Sequence, residues 1–373
     1  MNIRLISISD LHLGHNKVTA NIIHHNLRQV LYPKLTSDLD LLNIGGDFFD
    51  TLIHLDGKAG YVACTIINEL LVLAKEHEFY IRVLRGTFSH DRMQNQIFTA
   101  VAEEATLHAL PLVRVIDTVT IERIDPLDID ILYIPDDLPT NDGMTLIRQC
   151  MEDVHLAKVD FVFSHGYFEH LLPIGIPHKP VNTFSPEVFD KFTKGCVCNG
   201  HIHTPSVVKK VISHGSFERL CHGEEEDKGF FTIDYDTVTN ETTIRFINNP
   251  YATIFKTIHI DSEIPNIGKW CTEYIGTIIS NTKATHPTQF IRLAGQDKVL
   301  ISALVLYIKQ TYPTVQVTIL ADKHTKATEE EIITTLVDLP IITEQNLPER
   351  AVAFLAEEHD IHLSADRFRE LLS

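Results

Sequence analysis

Leu41-Leu42-Asn43-Ile44-Gly45-Gly46-Asp47-Phe48-Phe49-Asp50 decides how this chain reads: an apolar run stops abruptly at two glycines and two carboxylates. Such a run predicts a buried strand, and the glycines let the backbone turn tightly, so Asp47 is delivered to the mouth of a sheet. The same grammar recurs on both sides. Ile3 to Ser9 predicts a strand ending at Asp10, and Phe79 to Leu84 one ending at Arg85-Gly86. Val159 to Phe163 runs into Ser164-His165-Gly166, and Cys196 to Cys198 into Asn199-Gly200-His201-Ile202-His203. Helical stretches from Asn16 to Leu31, Tyr61 to His77, Gln96 to His108 and Asp142 to His155 alternate with the strands. That alternation predicts a layered α/β fold with polar residues gathered at the carboxyl ends of strands.

Composition narrows the function classes. At 373 residues and 44% hydrophobic, the chain can bury one large core and a smaller second one. A net charge of −18 argues against a protein that grips nucleic acid through a broad basic surface. The six cysteines are scattered, and no stretch reads as a leader peptide or a bilayer span, so a soluble, cytoplasmic protein is expected. Cys196-Val197-Cys198 has the wrong spacing for zinc; a strand points both thiols to one face, and core packing is the expectation.

Five polar clusters follow apolar strands: Asp10-Leu11-His12, Gly46-Asp47 with Asp50, Ser89-His90-Asp91, His165, and His201-Ile202-His203. Any one histidine of the 21 is more economically read as a packed or solvated side chain. Five clusters at five strand ends call for a joint explanation. A site for two divalent ions roughly 3.5 to 4 Å apart needs mixed carboxylate and imidazole ligands with one carboxylate shared, and this inventory supplies them.

In the order and spacing of these clusters, the first 250 residues or so resemble the calcineurin-like metallophosphoesterases, whose pattern is D-x-H, G-D-x-x-D, G-N-H-D, an isolated H, and G-H-x-H. The resemblance implies a β-sandwich flanked by helices. It implies that Asp10, His12 and His203 hold one metal, that Asp47 bridges, and that His165 and His201 hold the second. His90 would be the general acid, with Asp50 orienting its ring. The third cluster departs from the pattern. The chain reads Gly86-Thr87-Phe88-Ser89-His90-Asp91, so the family Asn is missing before His90, and Ser89 is expected to offer a hydroxyl in its place or leave it to water.

A second stretch, Gly215-Ser216-Phe217-Glu218-Arg219-Leu220 followed by Gly223-Glu224-Glu225-Glu226-Asp227-Lys228-Gly229-Phe230, is similar to the segment after G-H-x-H in SbcD-type (Mre-type) nuclease subunits, which include compact phage members. This likeness implies a manganese-dependent, or magnesium-dependent, nuclease with two divalent ions. It would be a 3′ to 5′ exonuclease on duplex DNA ends and an endonuclease on single strands, using hydroxide bridging the metals and working in DNA repair or recombination. Ser216 and Arg219 are candidate substrate contacts, and Lys209 and Lys210 local cations for DNA. By position, residues 251–325 match a small α/β capping domain. Residues 326–373 match helices that bind an SbcC-type coiled-coil ATPase, although docking onto the chain's own core is an equal reading of their apolar faces. A homodimer is implied by the resemblance alone. Two other readings remain open: a phosphomonoesterase or protein phosphatase with the same metals, and a DNA-end scaffold that has lost catalysis.

Overall fold

The computed structural model describes residues 1–103, 112–172, 180–261, 263–284, 289–296 and 298–320, all within one compact unit, Met1–Leu320. The expected partner-binding helices of 326–373 lie outside the described residues.

Strand and helix alternate from the start: β1 (Asn2–Ile8), α1 (Ala20–Val30), β2 (Leu41–Ile44), α2 (Lys58–His77), β3 (Tyr80–Leu84), the single turn α3 (Phe88–Asp91), α4 (Gln96–Ala102) and β4 (Val113–Ile116). These four strands pair in parallel in chain order. A second sheet is built from β5 (Thr120–Ile124), β6 (Ile129–Ile134), β7 (Val159–His165), β8 (Thr193–Gly200), β9 (Ser206–Val208) and β10 (Val211–Ser213). Its order is β5-β6-β7-β8-β10-β9, with helices α5 (Gly143–Asp153) and α6 (Pro186–Phe192) intervening in the chain. The chain then returns to the first sheet, where β11 (Gly229–Asp236) lies antiparallel to β1 and β12 (Thr242–Asn248) forms the edge.

Period-two alternation explains why the two sheets face each other. On β1, Ile3 and Leu5 enter the core shared with Phe161, Phe163 and Cys198 of the second sheet. The intervening Ile6 and Ile8 enter a different core, beneath Ile23 and Leu27 of α1 and Ile66 and Leu70 of α2. The second sheet repeats the device, burying Leu132, Val162 and Val197 against Ile147 of α5 and Phe189 of α6. The result is a mixed α/β fold of two six-stranded mixed sheets flanked by helices, with the central parallel strands covered on both faces and the antiparallel edge strands β5, β9 and β12 partly exposed. Cys196 and Cys198 sit side by side in the inter-sheet core with their Sγ atoms 3.9 Å apart, in line with the packing reading.

Beyond Pro250, β13 (Phe255–His259), α7 (Ile267–Asn281), β14 (Gln289–Ala294), α8 (Lys298–Thr311) and β15 (Val315–Ile319) make a small three-stranded parallel sheet with its own core around Ile258, Cys271, Ile291 and Ile308. Its Phe255 and Phe290 rings stack at 4.5 Å and join the larger core. The buried Glu218 ties the junction, accepting from the Thr253 amide at 2.9 Å and from the side chains of Asn249 and Asn26. Among the described residues no helix is long and apolar enough to cross a membrane.

Phe161 spans the gap between sheets, its ring 5.0 Å from that of Tyr235 on β11 and wholly buried. Phe161→Ala is expected to destabilise the protein by about 3–5 kcal/mol through the lost burial and the cavity left behind. Urea unfolding checks this, and a change below about 1 kcal/mol would mean that the sheets do not depend on this contact.

Candidate metal centre

Strands β1, β2 and β3 of one sheet and β7 and β8 of the other end at the same edge, so five loops are forced together there. The loop after β1 runs along the loop after β2: Asp10 N donates to Gly46 O at 3.0 Å, His12 N to Asp47 O at 3.0 Å, and Leu13 N to Phe48 O at 2.9 Å. The β2 and β3 loops pass so closely that a Cβ on Gly46, itself at φ +99°, would stand 2.7 Å from the Gly86 Cα. Only glycine serves there. Asp10, His12, Asp47 and His201 all adopt φ between 48° and 84°, a left-handed geometry that costs free energy and clusters at functional sites.

The side chains converge into groups whose ligand atoms lie within 4.8 Å of one another: Asp10 with His12 and His203, Asp47 with His165 and His201, and His12 with Asp50 and His90. Asp10, His12, Asp47 and His165 are buried. In the first group the Nε2 atoms of His12 and His203 are 3.1 Å apart, and Asp10 Oδ1 is 3.8 Å from the latter. Asp47 stands between the groups, its Oδ2 3.4 Å from His165 Nε2 and 3.9 Å from His12 Nε2. His165 Nε2 is buried with no hydrogen-bond partner while Nδ1 donates to the Gly45 carbonyl at 2.8 Å. An orphaned imidazole nitrogen aimed at a buried carboxylate, among mixed oxygen and nitrogen donors, fits a divalent cation.

All six residues predicted as ligands are therefore brought together, and His90 is beside them, its ring 4.9 Å from that of His12 and edge-on. Two details differ from the sequence reading. Asp50 reaches His90 through its backbone carbonyl, which accepts from His90 Nδ1 at 2.5 Å; its carboxylate Oδ1 instead lies 3.2 Å from His12 Nδ1. Ser89 is exposed on α3 and is not brought to the Asp47 group. The hydroxyl that is brought there belongs to Thr87, 3.3 Å from Asp47 Oδ2 and 3.4 Å from His201 Nδ1, while its amide donates to Asp47 Oδ1 at 2.7 Å. Phe88 and Ser89 stand between Thr87 and His90, so the residue next to the histidine in sequence is not the one whose hydroxyl faces Asp47. The signal was present, since Thr87 directly follows Gly86.

The candidate substrate contacts are placed elsewhere. Ser216 is fully buried and its hydroxyl donates to the Glu218 carbonyl at 2.7 Å, which leaves it closed to a substrate. Arg219 donates to the backbone carbonyls of Glu226 and Thr253, Lys209 to Glu187, and Lys210 to the Thr193 carbonyl, so each of these cations already has a protein acceptor. Residues that sequence reasoning passed over are Glu224, whose Oε1 accepts from His203 Nδ1 at 2.8 Å, and Tyr167, whose ring meets the His201 ring edge at 4.3 Å. A cavity of about 360 Å³ opens beside the second group, lined by Thr87, Asp136, Asp137, Tyr167, His165 and His201 among others.

The electrostatics follow from this crowding. Burial would raise Asp47, but His165, His12 and His90 outweigh it and hold the carboxyl well below the usual range. Burial likewise works against a charge on His165, yet Asp47, with Asp10 and the Gly45 carbonyl, pushes the imidazole up to about 10. Burial lowers His201, and its neighbour His165 adds to the effect. Burial opposes ionisation of Glu224, and His203 and Lys228 overcome it, holding that carboxyl down at about 2.

Comparison with known proteins adds little weight. No family model matches the chain, and no curated protein matches it. Among solved structures, GAP50, the anchor in the inner membrane complex of Plasmodium, is similar at 12% identity and a TM-score of 0.38, over 66% of this chain and 85% of that one. Another solved structure is similar at 13% identity and a TM-score of 0.34, over 66% of this chain and all of the other. Scores this low carry no argument about fold or function.

Two predictions follow from the geometry. In metal-free protein, the Asp47–His165 pair stabilises fully below the ordinary histidine pKa of 6.5, and its contribution is lost as pH rises through about 10. Unfolding free energy should therefore fall across that window, and Asp47→Asn should flatten the fall; an equal slope in the variant would contradict the pairing. Thr87→Ala should weaken binding of Mn²⁺ in a calorimetric titration, whereas Ser89→Ala should leave it unchanged. The reverse pattern would restore Ser89 as the hydroxyl of this site.

Proposed function

We propose that this chain is a divalent-metal-dependent phosphoesterase of the calcineurin-like kind, and within it an SbcD-type nuclease that hydrolyses DNA phosphodiesters. One observation carries the reading: Asp47 Oδ2 is within 4 Å of imidazoles from both ligand groups, with the His90 ring against the first of them. Two carboxylate-and-imidazole groups sharing one aspartate are the donor set for a pair of borderline divalent ions. Asp10, His12 and His203 would hold one ion, His165, His201 and the Thr87 hydroxyl the other, and Asp47 both. Bound there, manganese or magnesium would neutralise the charge of the scissile phosphate and lower the pKa of water.

The chain's own residues supply the remaining functions. With Nδ1 donating to the Asp50 carbonyl, His90 turns its Nε2 away from that carbonyl; as an imidazolium it would pass its Nε2 proton to the departing sugar oxygen and be left as the neutral ring with Nδ1 still donating. The burial of Asp10, Asp47 and His165 keeps bulk water from competing for the ligand atoms. The cavity beside His201 gives a phosphoester room to approach. DNA and an SbcC-type ATPase are the proposed partners. With a net charge of −18, and with Lys209, Lys210 and Arg219 committed to protein acceptors, the lone chain should hold DNA weakly.

The test is incubation of the purified chain with end-labelled duplex DNA and Mn²⁺, alongside p-nitrophenyl phosphate. DNA cleavage that needs Mn²⁺, stops with EDTA and falls about 10²–10⁴-fold in His90→Asn is expected. Turnover of the monoester with DNA untouched would point to a phosphomonoesterase. A His90→Asn rate on DNA equal to the parent's would remove catalysis from this site and leave a scaffold.

A further inference from the structure

The two ligand groups differ in what stands behind their histidines. In the first, one ring is hydrogen-bonded to a carboxylate, Glu224 Oε1 accepting from His203 Nδ1 at 2.8 Å, and the other has a carboxylate beside it, Asp50 Oδ1 lying 3.2 Å from His12 Nδ1 without a hydrogen bond between them. In the second, His165 Nδ1 donates to the neutral Gly45 carbonyl at 2.8 Å, and among the described residues no carboxylate is hydrogen-bonded to the His201 ring, whose Nδ1 faces into the site beside the Thr87 hydroxyl at 3.4 Å. A carboxylate behind an imidazole fixes the ring's tautomer and orientation and makes it a stronger donor to a cation. A carbonyl fixes the ring without adding negative charge.

Glu224 is itself firmly built in. Its Oε2 accepts from the Leu220 amide at 3.1 Å and lies 3.1 Å from Lys228 Nζ. Lys228 has no exposed surface. Its ammonium faces Glu224, Glu226 Oε1 at 2.7 Å and the His203 carbonyl at 2.8 Å, three acceptors for three protons. The same buried cation therefore grips the backbone of His203 and the carboxylate that orients its ring. The acidic stretch after Gly223 thus brackets one ligand, His203, through Glu224, Glu226 and the Lys228 that joins them.

We propose that Glu224, held by Lys228, is a positioning residue that makes the Asp10–His12–His203 group the tighter of two cation sites, so that the centre loads in two steps with this group first. The inference rests on the two-cation reading above and adds an order to it.

The experiment titrates the metal-free full-length chain with Mn²⁺ and follows the free ion by its electron paramagnetic resonance signal, without reference to activity. The parent should bind two ions in distinguishable steps, the first at least about ten-fold tighter. Glu224→Gln should weaken the first step about 10–100-fold and move the second far less, since general loosening of the fold would move both. Lys228→Met should act in the same direction. If Glu224→Gln does not fold, Asp50→Asn carries the same test through His12. Two equal steps in the parent, or a first step unchanged in Glu224→Gln and Asp50→Asn, would overturn the inference while leaving a two-cation centre intact. A parent that binds no Mn²⁺ would reject the centre, and this inference with it.

Discussion

A single buried carboxylate underlies the geometry of the centre. Asp91, with no exposed surface, accepts from the amides of Asp47 at 3.1 Å, Phe49 at 3.0 Å and Gly86 at 2.7 Å, and from Asn95 Nδ2 at 3.0 Å. Those amides belong to the loops after β2 and β3, the pieces of chain that carry Asp47 and Thr87. Each would otherwise be a buried donor without a partner, at a cost of about 1–3 kcal/mol. By satisfying all of them, Asp91 lets two loops lie closer than any side chain at Gly46 or Gly86 would allow, and holds Asp47 at a positive φ that it would not keep alone. The ligand groups meet because the loops are tied, and the loops are tied from beneath.

The fold supplies the rest of the constraint. Parallel strands β1, β2 and β3 all point their carboxyl ends one way, and β7 and β8 of the facing sheet end at the same place, as the adjacency of Asp47 and His165 requires. Cores on both faces of each sheet fix the level at which the strands stop. Strain at Asp10, His12, Asp47 and His201, of order 1–3 kcal/mol each, is sustained by this packing rather than relieved locally.

Much of this was legible in the chain because apolar runs such as Leu41 to Ile44 and Val159 to Phe163 have the length and punctuation of buried strands, and polar clusters at their ends are hard to explain separately. What was not legible depended on direction. Whether Asp50 meets His90 by its carboxylate or its carbonyl is a question of backbone orientation, and no spacing rule answers it. The hydroxyl that faces Asp47 is that of Thr87, three residues before His90, rather than that of the adjacent Ser89, a difference visible only once the loop is folded. Ser216 and Arg219 became candidate substrate contacts only through the likeness of their stretch to a nuclease segment; in the fold they are occupied with Glu218, Glu226 and Thr253. Glu224 and Lys228 sit in a charge-rich run, and only the fold shows that Lys228 is buried and Glu224 largely enclosed beside it.

The account stands on two cations sharing Asp47. The most direct measurement is anomalous diffraction at the manganese edge from crystals of this protein grown with Mn²⁺. Two peaks roughly 3.5 to 4 Å apart are predicted, one among Asp10, His12 and His203 and one among His165, His201 and Thr87, with Asp47 touching both. A single peak, or two peaks that do not share Asp47, would contradict it.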